Sequence, residues 1–131
     1  LQTVGEIMPE EMAQNLFNSS VLILDVREPD EFAVGHLPGA INVPRGFLEV
    51  KADLEHHKRD ERLADRSQAI ACYCGGGFRS ALAAKTLQEM GFSDVKSMAG
   101  GWTAWTDRSL PIEQPKASGE NNENTVGFSL P

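Results

Sequence analysis

Ala69-Ile70-Ala71-Cys72-Tyr73-Cys74-Gly75-Gly76-Gly77-Phe78-Arg79-Ser80 carries an apolar run into a helical pattern through one cysteine and three consecutive glycines. The apolar run predicts a short buried strand over Ala69–Tyr73, and Ala81, Leu82, Ala83, Ala84, Leu87 and Met90 predict a helix that stops at Gly91. The glycine turn therefore opens a helix. Successive main-chain N–H groups in such a turn converge on one point, and the unsatisfied donors and positive dipole end of the helix aim at the same place. A sulfur held there favours its negatively charged form, which makes Cys74 a nucleophile candidate. A free cysteine at a strand end more often serves as a small apolar filler. The glycines argue otherwise, since each costs roughly 0.5–1 kcal/mol relative to alanine and is best explained where backbone approaches a ligand or adopts positive φ.

Three further segments fit around this junction. Val21-Leu22-Ile23-Leu24-Asp25-Val26-Arg27-Glu28 is followed by Glu31-Phe32, then by Gly35-His36-Leu37-Pro38-Gly39-Ala40-Ile41-Asn42-Val43-Pro44, and Gly100-Gly101-Trp102-Thr103-Ala104-Trp105 comes after the cysteine loop. Together the four resemble a rhodanese domain over about Gly5 to Pro111. The resemblance implies an α/β fold with a five-stranded parallel sheet and helices on both faces. It also implies a loop cysteine that takes up sulfane sulfur as a persulfide. Matched residue by residue, Cys74 stands for that cysteine, and Gly77 and Arg79 match the Gly and Arg of the family's Cys-x-x-Gly-x-Arg pattern. Gly75, Gly76, Gly77, Phe78 and Arg79 are expected to bind the substrate sulfur through their N–H groups. Arg79 either adds charge at the site or braces the loop through carboxylate pairs, and bracing is preferred.

Loop length separates chemistries within this superfamily. The six residues from Cys74 through Arg79 resemble the sulfurtransferase loop. Related cell-cycle phosphatases have one more residue between cysteine and arginine, which lets the loop wrap a tetrahedral phosphate. Tyr73 stands immediately before Cys74, so the His-Cys opening of the phosphatase signature is absent.

A chain of 131 residues holds one domain and a tail, with the domain boundary expected at 112 and a flexible segment over 113–131. Twelve Lys and Arg against 19 Asp and Glu leave a net charge of −7, which disfavours nucleic acid and anionic membrane as partners. The apolar run at Val21–Leu24 is far short of the ~20 residues that span a bilayer, and a soluble protein is expected. Two cysteines are too few for a disulfide framework or a four-ligand metal site, so no metal and no cofactor are expected. A reduced cytoplasmic setting suits the thiol, although the chain begins at Leu1 without an initiator Met, as a processed protein or an excised fragment would.

Elsewhere the pattern predicts a surface helix over Pro9–Phe17 and buried parallel strands at Val21–Leu24 and Val95–Met98. Ligands of open α/β sheets gather beyond the carboxyl ends of strands, which makes Asp25 a candidate for the site border. Arg27 and Glu31 have the spacing of an ion pair. Glu49–Arg66 reads as a solvated, salt-bridged helix and loop, and His36 as a backbone-bonded turn residue. The loop has no cation before Arg79, which weakens the expectation for thiosulfate. Arg45 is the candidate to compensate at the site border. Cys72 reads as a buried strand cysteine, with sulfur relay as the alternative. Trp102 and Trp105 read as core, with Trp102 as a pocket wall.

These readings converge on a single-domain sulfurtransferase of the thiosulfate:cyanide type. Its partners are a small-molecule sulfur donor and a thiol or cyanide acceptor, with a protein sulfur acceptor as a further candidate. The alternatives are a rhodanese-fold binding or regulatory module and an oxyanion-processing, phosphatase-like or arsenate-reducing enzyme.

Overall fold

A computed structural model describes residues 4–114. Its centre is a five-stranded, wholly parallel sheet in the order β1-β5-β4-β2-β3. The strands are β1 (Gly5–Ile7), β2 (Val21–Asp25), β3 (Ile41–Asn42), β4 (Ala69–Tyr73) and β5 (Val95–Met98). Helices α1 (Pro9–Ala13), α2 (Pro29–Val34), α3 (Leu48–Ala52), α4 (Phe78–Glu89) and α5 (Gly101–Asp107) connect or follow them.

Strand alternation explains why both faces are covered. Leu24, Val26, Ile70, Cys72 and Cys74 point into one cluster with Leu48 of α3 and Ala83, Ala84 and Leu87 of α4. Ile23, Ala71 and Tyr73 point the other way, into a cluster with Met12 of α1 and Trp105 of α5. β2 and β4 are the central pair, matched from Val21 with Ala69 to Asp25 with Tyr73. From β2 the chain moves outward to β3, and from β4 it moves outward to β5 on the other side. The crevice beyond the carboxyl ends of β2 and β4 is thus the point where strand order reverses, the usual place for a ligand in such a sheet.

Two local expectations are corrected. The first helix stops at Ala13 rather than running to Phe17. The Asn15 side-chain amide donates to the Glu11 carbonyl at 3.0 Å, taking the acceptor that the next helical N–H would use, and Phe17 is left solvent-exposed. Within the charged stretch from Glu49 to Arg66, Arg66 is not a solvated charge. Its guanidinium donates to the carbonyls of Ala52, Leu63 and Met90 and lies 4.6 Å from the Phe92 ring, clamping α3 to the end of α4. Beyond the boundary placed at 112, Glu113 and His36 exchange main-chain hydrogen bonds at 2.9 and 2.7 Å, and the Gln114 side chain donates to the Val34 carbonyl. The rest of the expected tail lies outside the described residues.

Candidate active site

Cys74 directly follows β4, and α4 begins four residues later. The turn between them is possible because Gly77 takes φ +107°, a conformation that a side chain would strain. That turn brings the Gly77 N–H to 3.0 Å from Cys74 Sγ. The N–H groups of Gly75, Gly76, Phe78 and Arg79 have no acceptor among the described residues. The Gly77 N–H therefore meets the sulfur at the positive end of a 12-residue helix, in a turn whose other main-chain donors are unpaired among the described residues. Cys74 is only 1% exposed, whereas Phe78 at the rim is 85% exposed. On the inner side, Ser80 Oγ lies 3.4 Å from the sulfur, 3.2 Å from the Gly77 carbonyl and 2.8 Å from Ser97 Oγ.

Arg79 turns away from the sulfur and grips α2. Its Nη1 and Nη2 donate to Glu31 Oε1 and Oε2 at 2.8 and 3.2 Å. Its Nη2 also lies 2.9 Å from where a Cβ on Gly75 would sit, so the guanidinium lines the back of the loop. The expected partnership of Arg27 with Glu31 is replaced by this one. Arg27 folds back two residues onto Asp25, donating to its carboxylate through Nε and Nη2, the latter at 2.7 Å.

The Arg79 hydrogen bonds hold the Glu31 carboxyl down to about 2. A depressed carboxyl stabilises the fold above its ordinary value near 4.5 and loses that contribution as pH falls through about 2. Both side chains are 38% exposed, so solvent screens the pair to about 0.5–1 kcal/mol. Wild type is therefore expected to exceed Glu31→Gln in unfolding free energy above pH 4.5, with the gap closing toward pH 2. Denaturant titrations across that range check this, and a gap independent of pH would remove the carboxylate from the account.

Asp25 stands at the carboxyl end of β2, in register with Tyr73, but it is fully buried and its oxygens are taken by Arg27. It is a support beneath the crevice rather than a surface that a substrate meets. The Arg27 guanidinium is also 4.5 Å from the Trp102 ring and 5.5 Å from the Tyr73 ring, and it donates to the Gly35 carbonyl. Tyr73 accepts the Leu37 N–H, and its burial raises the phenol's pKa, so it stays neutral. The Arg45 guanidinium is committed to Glu49 Oε1 and Thr86 Oγ1, each at 3.0 Å. Thr86 lies eight residues beyond Phe78, about 12 Å along α4, so the geometry does not bring this charge to the sulfur. His36 Nδ1 is 2.8 Å from the Leu37 carbonyl, as a turn residue would be.

Sequence reasoning missed the floor of the loop. The first N–H groups of α5 reach back to it, Trp102 to the Cys74 carbonyl at 2.7 Å and Thr103 to the Gly75 carbonyl at 3.1 Å. With those carbonyls drawn toward α5, the adjoining N–H groups are free to face the sulfur. The approach is so close that a Cβ on Gly101 would collide with both carbonyls. Consecutive glycines before a helix were the available signal. Ser80 and Ser97 gave none, because serine in a helix or a strand carries no positional meaning by itself.

The strand-order reversal at a cysteine-bearing glycine loop makes this an open, parallel α/β domain. The rhodanese-like domain family model matches residues 8–108, and the chain belongs to that family. A sulfurtransferase of Allochromatium vinosum is 32% identical over 86% of this chain and 98% of its own length. Thiosulfate sulfurtransferase 16, chloroplastic, of Arabidopsis thaliana is 36% identical over 78% of this chain and 88% of its own. Among solved structures, a Rhodopseudomonas palustris protein of unknown function, described as a possible tyrosine phosphatase, superposes with a TM-score of 0.79. It is 34% identical and covers 84% of this chain and 85% of its own. The chain spans 60% of the length of two longer relatives from Raphanus sativus and Arabidopsis thaliana. No described helix is long and apolar enough to cross a membrane.

Proposed function

We propose that the protein moves sulfane sulfur from a small donor such as thiosulfate or a persulfide to a thiol or cyanide acceptor, with Cys74 as carrier. The observation that carries this reading is the buried Cys74 at the start of α4, with the Gly77 N–H 3.0 Å from Sγ and the other donors of the turn unpaired among the described residues. The Cys74 thiolate attacks the outer sulfur of thiosulfate, the S–S bond breaks, and sulfite leaves with the bonding pair. The acceptor then attacks the outer sulfur of the persulfide, and the pair of that S–S bond returns to Cys74 Sγ. The free N–H groups of Gly75, Gly76, Phe78 and Arg79 stabilise the negative charge that sits on the outer sulfur between the two steps. A sulfur 1% exposed suits a donor whose reacting atom is small and terminal.

The resemblance to a possible phosphatase raises a competing reading, and two features weigh against it. Four residues between Cys74 and Arg79 make a loop fitted to one added sulfur atom. Arg79, which an oxyanion would need, is bound to Glu31 instead.

Neither Arg79 nor Arg45 offers an uncompensated charge, so a dianionic donor gains little attraction from a chain of net charge −7. A low-molecular-weight persulfide is therefore expected to give a higher kcat/KM than thiosulfate, by about tenfold. Steady-state transfer to cyanide and to a thiol tests this, with an aryl phosphate as the control substrate. Ready phosphate hydrolysis without transfer from either donor would overturn the proposal.

A further inference from the structure

Ser80 and Ser97 form a buried pair of hydroxyls behind the cysteine. Ser80 is fully buried on α4, and Ser97, on β5 beside Cys72, is 4% exposed. A hydroxyl taken into an apolar interior destabilises the fold unless it is hydrogen-bonded. Ser97 Oγ has one partner among the described residues, Ser80 Oγ at 2.8 Å. Each hydroxyl holds a single proton and two lone pairs. The Ser97 proton therefore goes to Ser80, the Ser80 proton goes to the Gly77 carbonyl at 3.2 Å, and the protonated Cys74 thiol donates to Ser80 Oγ at 3.4 Å; once that thiol ionises, the sulfur becomes a second acceptor within reach of the Ser80 proton.

Charge on the sulfur decides between them. A hydrogen bond to an ionised acceptor is roughly twice as strong as one between neutral groups, so a thiolate draws the Ser80 proton to itself. A protonated or persulfidated Cys74 carries no such charge on Sγ, and Ser80 then turns to the Gly77 carbonyl. We infer that Ser97 is a positioning residue for the Cys74 thiolate: by donating to Ser80 it holds that hydroxyl in place and polarises its proton, ready for Sγ whenever that atom is negative. The inference rests on the sulfur-transfer reading and deepens it, because Sγ is negative both when it attacks the donor and when the acceptor discharges the persulfide. Ser80 and Ser97 keep their protons in both steps; only the direction of the Ser80 O–H changes.

Other groups do not account for this arrangement. Arg79 on α4 is paired with Glu31 on α2, and Cys72 on β4 is a fully buried thiol whose pKa burial raises. The side chains that β2, the segment after β3, and α3 turn into the same cluster, namely Leu24, Val26, Val43 and Leu48, are apolar. Ser97 touches none of the charged groups directly.

The test is the pH dependence of Cys74 alkylation by iodoacetamide, followed by peptide mass spectrometry so that Cys72 is scored separately. Ser80→Ala, which removes the hydroxyl beside the sulfur, is expected to move the midpoint up by about one unit, and Ser97→Ala, which leaves Ser80 its proton but removes the bond that holds and polarises it, by about a third of that. Ser97→Thr, which keeps the hydroxyl, is expected to restore it. Because Ser97 acts through Ser80, Ser97→Ala should add nothing to the shift already present in Ser80→Ala. A midpoint unmoved in folded Ser97→Ala, or additive shifts in the double variant, would overturn the inference. Should Ser97→Ala fail to fold, Ser97→Cys keeps the size with a weaker donor; a smaller upward shift supports the inference and none overturns it. Alkylation does not require sulfur transfer, so a shifted midpoint in a protein that transfers no sulfur would refute the proposed function and uphold the hydroxyl pair.

Discussion

Thiosulfate or a persulfide is expected to add one sulfur atom to the wild-type chain and to Cys72→Ser, and none to Cys74→Ser. The two cysteines sit two residues apart on the same face of the sheet and differ in what surrounds them. Cys72 is fully buried between β2 and β5, and burial, assisted by repulsion from Cys74, pushes its thiol up to about 12. At neutral pH burial therefore keeps this thiol protonated, and a protonated thiol is a poor nucleophile. Cys74 has the Gly77 N–H at 3.0 Å, the Ser80 hydroxyl at 3.4 Å and the start of α4 beneath it. Sulfur transfer by Cys74→Ser should fall by at least on the order of a thousandfold, since the nucleophile is removed. Cys72→Ser should lose about 1–3 kcal/mol of stability from a hydroxyl placed among apolar side chains, yet still accept sulfur. Intact-mass measurement before and after a reductant reads both outcomes. Reductant-labile sulfur on Cys72 in the Cys74→Ser protein would transfer the carrier role to the inner cysteine.

The parallel sheet and the cysteine cradle were legible because their signals are local. A buried strand, a glycine turn and a helix follow one another within some twenty residues, and each has its own chemistry of side-chain spacing and backbone freedom. What stayed hidden depends on which partner wins when several are within reach. Spacing offers Arg27 a partner in Glu31, but the chain turns sharply after β2 and Asp25 is closer, while Arg79 reaches Glu31 across 48 positions of sequence. Asp25 was correctly placed at a strand end, yet strand-end position alone does not say whether a carboxylate faces solvent or an arginine. Arg45 follows the same logic, since Glu49 and Thr86 claim it before the crevice can. The first helix was overextended because hydrophobic spacing says nothing of Asn15, whose side chain closes off the last turn. The seryl pair requires knowing that α4 and β5 lie side by side, a fact of topology rather than of pattern.

Gly101→Ala is expected to separate the shape of the loop from the presence of its residues, because Gly101 contributes no group to the chemistry. Its φ of +58° already disfavours a side chain, at a cost of about 1–3 kcal/mol. An added Cβ would also meet the carbonyls of Cys74 and Gly75 well inside contact distance. Relief requires α5 and the cysteine loop to move apart, which breaks or lengthens the 2.7 Å bond from Trp102 N–H to Cys74 and the 3.1 Å bond from Thr103 N–H to Gly75. Those two bonds hold the loop peptides of Cys74 and Gly75, so their release displaces the turn that carries the Gly77 N–H to the sulfur. A displacement of about 1 Å costs on the order of a hundredfold in rate, and kcat/KM for sulfur transfer should fall by that factor, with Tm lowered as well. Gly46→Ala is the matched control: its added Cβ meets nothing within 4 Å, its φ lies outside the left-handed region, and both activity and Tm should stay near wild type. Wild-type transfer by a folded Gly101→Ala protein would mean that the α5 contact does not set the direction of the loop donors, and the stabilisation of the persulfide would then have to come from α4 alone.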